Sequence, residues 1–184
     1  MSRMTITLEG QVFRRQYLLY IIELINSGRR YFYVGQTGDR RYTTARPPFR
    51  RLMGHLEDIG KSTQNQLYRY IAADVLHIPQ ARQQKTFSDD VKQRVEDFLV
   101  TSTVHMHVYT LEPFIPGATH AEHTEVLRRV EEFERHVIRR FSDANLPLGN
   151  RNLHSPSNPS PPYPEVLQEI ERDFGLTPPF VGGE

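Results

Sequence analysis

Residues 16 to 36 constrain this chain most. Tyr, Leu and Ile dominate Gln16 to Ile25, and the run stops at Asn26-Ser27-Gly28, which has turn chemistry. Arg30 to Gln36 is strand-like again, so the spacing predicts a β-hairpin over residues 16 to 36. A period of two puts Tyr20, Ile22 and Leu24 on one face of the first strand, and Tyr31 and Tyr33 on one face of the second. Gly35 then ends the second strand and Thr37-Gly38-Asp39 turns away. Tyr20 and Tyr33 thus sit in paired strands where they can approach each other. Tyrosine is common in strands and often packs in a core, which is the ordinary alternative for both. A phenol with a pKa of about 10 is a poor base at neutral pH. Beside arginines or a metal-bound water its pKa can fall, and it can then accept or relay a proton.

Downstream, Arg40 to Pro48 has loop character, and proline in the first turn suits a helix running to about Asp58. Its apolar stripe is Phe49, Leu52, Met53, Leu56 and Ile59. Arg51 and His55 are i and i+4 neighbours at the border of that stripe, where side chains can enter a cleft beside the core. A surface pair on an amphipathic helix is the plainer alternative. Helices are also predicted over 64–76 and 89–99, and Thr103 to Leu111 alternates as a strand. Along it Val104, Met106 and Val108 face one way, and His105, His107 and Tyr109 the other. His105-x-His107 has metal-ligand spacing, but with no carboxylate nearby in sequence an exposed strand face is expected. Thr119 to Phe141 carries the strongest helical periodicity, and His120 and His123 at its start read as surface residues.

Glu134 interrupts the apolar stripe of that last helix, four residues after Val130 and four before Ile138. Glu131, Glu132 and Arg135 reach solvent more easily. A partly buried carboxylate is costly unless it is paired or holds a metal. An arginine from another element would serve as well as a metal.

At 184 residues the chain has room for one domain with a true core, and 38% hydrophobic with 24% charged residues fits a globular protein. No apolar stretch approaches the roughly 20 residues of a membrane span. The N-terminus lacks a secretory h-region, and the chain has no cysteine for disulfides or thiolate–zinc sites. A cytoplasmic location is expected. The net charge of +1 conceals an arginine-rich stretch at Arg29, Arg30, Arg40, Arg41, Arg46, Arg50 and Arg51, with Asp39 the only acid among residues 29 to 51. Guanidinium groups bind phosphate oxygens in a two-pronged manner. A solvated face is the alternative. After Asn152 the prolines of Ser155 to Pro164 read as a surface linker, followed by a short amphipathic segment from Pro164 to Phe174. The organisation expected is a domain over 1–152 and a proline-rich extension over 153–184.

The order Tyr20, Tyr33, Arg51, His55, Glu134, Asn150 resembles that of the GIY-YIG endonuclease superfamily. Tyr33-Val34-Gly35-Gln36-Thr37 looks like its second motif. Leu19-Tyr20-Ile21 is similar to its first, with the tyrosine kept and Leu18 in place of the glycine. Arg51 with His55 matches the arginine–histidine helix of restriction and homing endonucleases. Glu134 matches the glutamate helix and Asn150 the terminal asparagine. The longer path from Tyr33 to Arg51 implies an inserted loop over 38–48.

The resemblance implies an α+β fold, a small three-stranded antiparallel sheet flanked by helices. It implies a DNA endonuclease, of restriction or phage-defence type, using one Mg²⁺ or Mn²⁺ on Glu134. Arg51 would contact the scissile phosphate, Tyr20 would act as base or relay with His55 assisting, Tyr33 would orient water or phosphate, and Asn150 would support the site. Gln36, Arg40, Arg41, Arg46, Arg50 and Lys61 are the expected nucleic-acid contacts. A cutter of duplex DNA would work as a homodimer. The altered first motif leaves a second expectation, an inactive nucleic-acid-binding module. A third makes the proline-rich tail a recruiter of a protein partner.

Overall fold

The computed structural model describes residues 7–56, 65–84, 86–150 and 154–176. It is an α+β fold with one three-stranded antiparallel sheet and five helices. Strands β1 (Gln16–Asn26) and β2 (Arg29–Gln36) form the expected hairpin. Asn26 pairs with Arg29, leaving a two-residue turn in which Ser27 (φ 49°) and Gly28 (φ 77°) are both left-handed. That geometry matches the twist of the flanking strands. Helices α1 (Pro48–Leu56) and α2 (Gln66–Tyr70) follow. The latter runs into one π turn, Ile71–Val75, instead of the single helix expected over 64–76. Then come α3 (Asp89–Val100), β3 (Thr103–Pro113), α4 (His120–Asp143) and α5 (Pro164–Phe174).

The sheet order β2-β1-β3 makes β1 central, and helices cover both of its faces. Every residue from Tyr17 to Leu24 is consequently buried. Leu18, Tyr20, Ile22 and Leu24 pack with Leu67 and Ile71 from the α2 region and Val91 and Val95 of α3. Leu19, Ile21, Phe32 and Val34 pack with Phe133, Val137 and Phe141 of α4 and with Leu167, Ile170 and Phe174 of α5. Each such side chain contributes roughly 1.5–3 kcal/mol on burial. The amphipathic C-terminal segment is therefore part of this second core. A capping box starts α4: Glu122 N donates to Thr119 Oγ1 at 3.3 Å, and Thr119 N donates to Glu122 Oε2 at 2.8 Å.

Three local expectations are corrected. His123 is not a surface residue but is 2% exposed. The loop after β2 folds over it, so its ring joins Tyr17 Oη (2.5 Å) and the Asp39 carbonyl (2.8 Å). Glu132 is more deeply buried than Glu134, because the returning chain lays Asn158 across it and donates its N–H at 2.7 Å. His105 and His107 do have a carboxylate beside them, supplied by Glu23 from β1, which pairs with β3. Among the described residues no helix is long and apolar enough to cross a membrane.

Candidate active site

Strand β2 is one of the two edges of the sheet, and residues 147–150 run beside it. Phe32 N donates to the Pro147 carbonyl at 2.8 Å and Gly149 N to the Phe32 carbonyl at 2.7 Å. Asn150 extends this pairing with its side chain. Its Oδ1 accepts from Val34 N at 2.9 Å and its Nδ2 donates to the Val34 carbonyl at 2.8 Å. The carboxamide thus mimics a strand neighbour. Asn150 thereby fixes the Val34 backbone between Tyr33 and Gly35.

Tyr20 lies opposite Gly35 in the strand register, and its ring covers that glycine. A Cβ on residue 35 would stand 2.7 Å from Tyr20 Cε2, closer than any side chain tolerates. Arg51 Nε donates to Tyr20 Oη at 3.2 Å. Tyr20 Oη is also 2.7 Å from His55 Nε2. The phenol oxygen accepts from Arg51, and its own proton can go to His55 Nε2 in the tautomer that leaves that nitrogen unprotonated. His55 is 1% exposed, and its ring centroid lies 4.5 Å from that of Tyr33. Arg51, His55, Tyr20 and Tyr33 are therefore one contiguous group. Arg51 at the helix border reaches Tyr20 Oη, while His55 sits inside, between the tyrosines.

The phenols depart from expectation in charge. Burial raises the Tyr20 pKa above its ordinary value, and the Arg51 guanidinium offsets only part of that. Burial pushes Tyr33 well above the usual range, with Tyr20 and Glu134 adding to the rise. Lost hydration of a phenolate outweighs one neighbouring cation here. Tyr20 can therefore pass a proton on in concert with His55 more readily than it can rest as a phenolate.

In front of this group opens a cleft of about 660 Å³, lined by Tyr33, Glu134, Asn150, Glu131, Arg40 and Gln66 among others. Glu134 is half-buried, and among the described residues its carboxylate makes no hydrogen bond or ion pair. Burial lifts its pKa to about 7, Glu131 adds to the rise, and Arg51, Arg40 and Arg135 oppose it. Glu132 next door shows the contrary outcome. Burial would raise it too, but the N–H groups of Asn158 and Ser157 and the Arg135 guanidinium hold it below the usual range. An unpartnered carboxylate facing a wet cleft, with Glu131 one helical turn earlier, suits a hard divalent cation that keeps most of its waters. The side chains present therefore fit Mg²⁺ or Mn²⁺ on Glu134.

The expected nucleic-acid contacts divide. Arg40 lines the cleft and is bonded to Glu131 at 2.5 Å. Arg46 reaches Asp39 Oδ2 through Nε (3.1 Å) and Nη2 (2.5 Å), bracing its own loop. Gln36 turns back to accept from Gly38 N. Arg41 is exposed, its guanidinium carbon 5.3 Å from the Tyr42 ring centroid, and Arg50 is exposed on α1. Lys61 lies outside the described residues. Glu131, Gln66 and His154 also line the cleft, and sequence reading did not mark them. Glu131 was readable in principle, at i and i+3 with Glu134 on one helix face. His154 enters only because the chain returns past the β2 edge.

Compared with family models, with characterised proteins and with solved structures, the chain matches none of them.

Proposed function

We propose that this chain is a divalent-cation-dependent DNA endonuclease of GIY-YIG type. The observation that carries the reading is the Glu134 carboxylate, unpartnered in a cleft whose wall is Tyr33 and whose backing is Arg51, Tyr20 and His55. A bound cation would supply Lewis-acid stabilisation of the charge that develops on the leaving oxygen. The chain's own side chains do the rest. Arg51 directs a guanidinium at the phosphoryl oxygens, where charge grows in the transition state. Tyr20 takes the proton of an attacking water at Oη as its own proton passes to His55 Nε2, so no free phenolate has to form. Tyr33 orients the water or the phosphate, Asn150 holds the β2 backbone beneath them, and Arg40 extends the phosphate track.

One observation favours a binding module without turnover: Tyr20 is 0% exposed, which keeps water from its hydroxyl until the cleft rearranges. Plasmid and single-stranded circular DNA incubated with Mg²⁺ or Mn²⁺ separate the two readings, wild type beside Glu134→Ala. The nuclease reading expects wild type to cut and the variant to be inactive. DNA retained by both proteins and cut by neither would replace it with the binding module.

A further inference from the structure

Antiparallel pairing of β1 with β3 sets Glu23 directly opposite His105 and Ile21 opposite His107. Both imidazoles therefore flank one carboxylate on one face of the sheet. His107 Nε2 lies 3.2 Å from Glu23 Oε2, and His105 Nδ1 lies 3.6 Å from that same oxygen. One donor atom from each of the three residues falls within 4.8 Å of the others. Zn²⁺ holds imidazole nitrogen and carboxylate oxygen at about 2.0–2.2 Å, so tetrahedral ligands stand about 3.4 Å apart. The two separations, 3.2 and 3.6 Å, straddle that spacing.

The surroundings suit a site. Arg30 bonds the other carboxylate oxygen, Oε1, so Glu23 is held with Oε2 turned to the imidazoles. The His107 ring is held against Phe174 of α5, centroids 5.0 Å apart. His105 is the most open of the three, with 50% of its side chain exposed against 36% for His107, so an ion can enter from solvent there. Two nitrogens and one oxygen disfavour Mg²⁺ and Ca²⁺ and favour ions of the zinc class.

We propose that Glu23, His105 and His107 bind a divalent transition metal of the Zn²⁺ class, with water completing its coordination. Binding would put the ion where His107 Nε2 now meets Glu23 Oε2. The site is built on β1 and β3, away from Glu134, and does not rest on the nuclease reading.

Full-length Glu134→Ala protein, whose cleft lacks the unpartnered carboxylate, is titrated with Co²⁺ as a visible probe and then with competing Zn²⁺. The expected result is one saturable equivalent with a d–d absorption band that Zn²⁺ abolishes, and a Tm that climbs as Zn²⁺ is raised. Adding His105→Ala, an exposed change that leaves the cores intact, is expected to weaken binding at least about tenfold. Glu23→Gln is expected to do the same, and circular dichroism identifies a variant that has lost its fold, in which case His105→Ala decides alone. Absence of saturable binding, or equal affinity with and without His105, overturns the proposal.

Discussion

Glu134 and Glu23 are both withdrawn from bulk water, and the fold treats them in opposite ways. Glu23 is only 4% exposed, yet Arg30 and His107 occupy its oxygens and depress its pKa. Burial is the largest influence on Glu134 as well, and with no partner to offset it the pKa climbs to about 7. Glu132, two residues earlier on the same helix, sides with Glu23 because backbone N–H groups and Arg135 reach it. Depth of burial alone does not set the charge of a carboxylate; the donors that accompany it do. The unpaired one, Glu134, lines the cleft together with Tyr33 and Arg40.

Three substitutions press on that side of the contrast. The largest expected effect is in activity. Arg51→Ala should lower the rate of DNA cleavage by about 10²–10³-fold, the usual loss for one donor to a developing oxyanion. Single-turnover kinetics with Mg²⁺ would check it, and an unchanged rate would remove Arg51 from the site. Glu134→Gln should raise stability to unfolding at pH 8 by about 1–3 kcal/mol, given a native pKa of about 7 against an ordinary value near 4.5. The native pKa exceeds the unfolded one, so Glu134's contribution is fully present below about 4.5 and lost as pH rises through about 7. The gain in Glu134→Gln should therefore vanish in urea melts below pH 4.5, all in EDTA. Gly35→Ala should cost about 1–3 kcal/mol, because Tyr20 must move off the strand and strain the packing around it. A melt with unchanged Tm would show that the ring has room to give.

What sequence could tell follows from how local each cause is. The hairpin was legible because Ser27-Gly28 sits between two apolar runs, and the turn conformation is written in those two residues. Helix α4 followed from its period. Tyr20, Tyr33, Arg51 and His55 were named from their order along the chain, and the fold gathers them into one group. Partnering was not legible. His123 is buried by a loop from before α1, and Glu132 by residues beyond α4. His105 and His107 gain Glu23 only through the β1–β3 register, which no spacing within β3 encodes. The same limit explains the phenols. Adjacent arginines suggested lowered pKa values, while the dehydration that wins depends on helices packing over the sheet.

The smallest expected effect probes the other carboxylate. Glu23→Gln keeps the shape and an acceptor for Arg30 but removes the charge, so it should destabilise the protein by about 1–2 kcal/mol at pH 7 without metal. The native pKa of Glu23 lies below its unfolded value. Its stabilisation is therefore present above the unfolded pKa and lost as pH falls through the native one. The two glutamine variants should thus diverge with opposite slopes. The Glu134→Gln advantage grows as pH rises toward 8, and the Glu23→Gln deficit shrinks as pH falls below about 4.5. Paired urea melts across that range measure both slopes at once. Parallel slopes would mean that the donors around Glu23 do not distinguish it from Glu134, and that burial, after all, governs both.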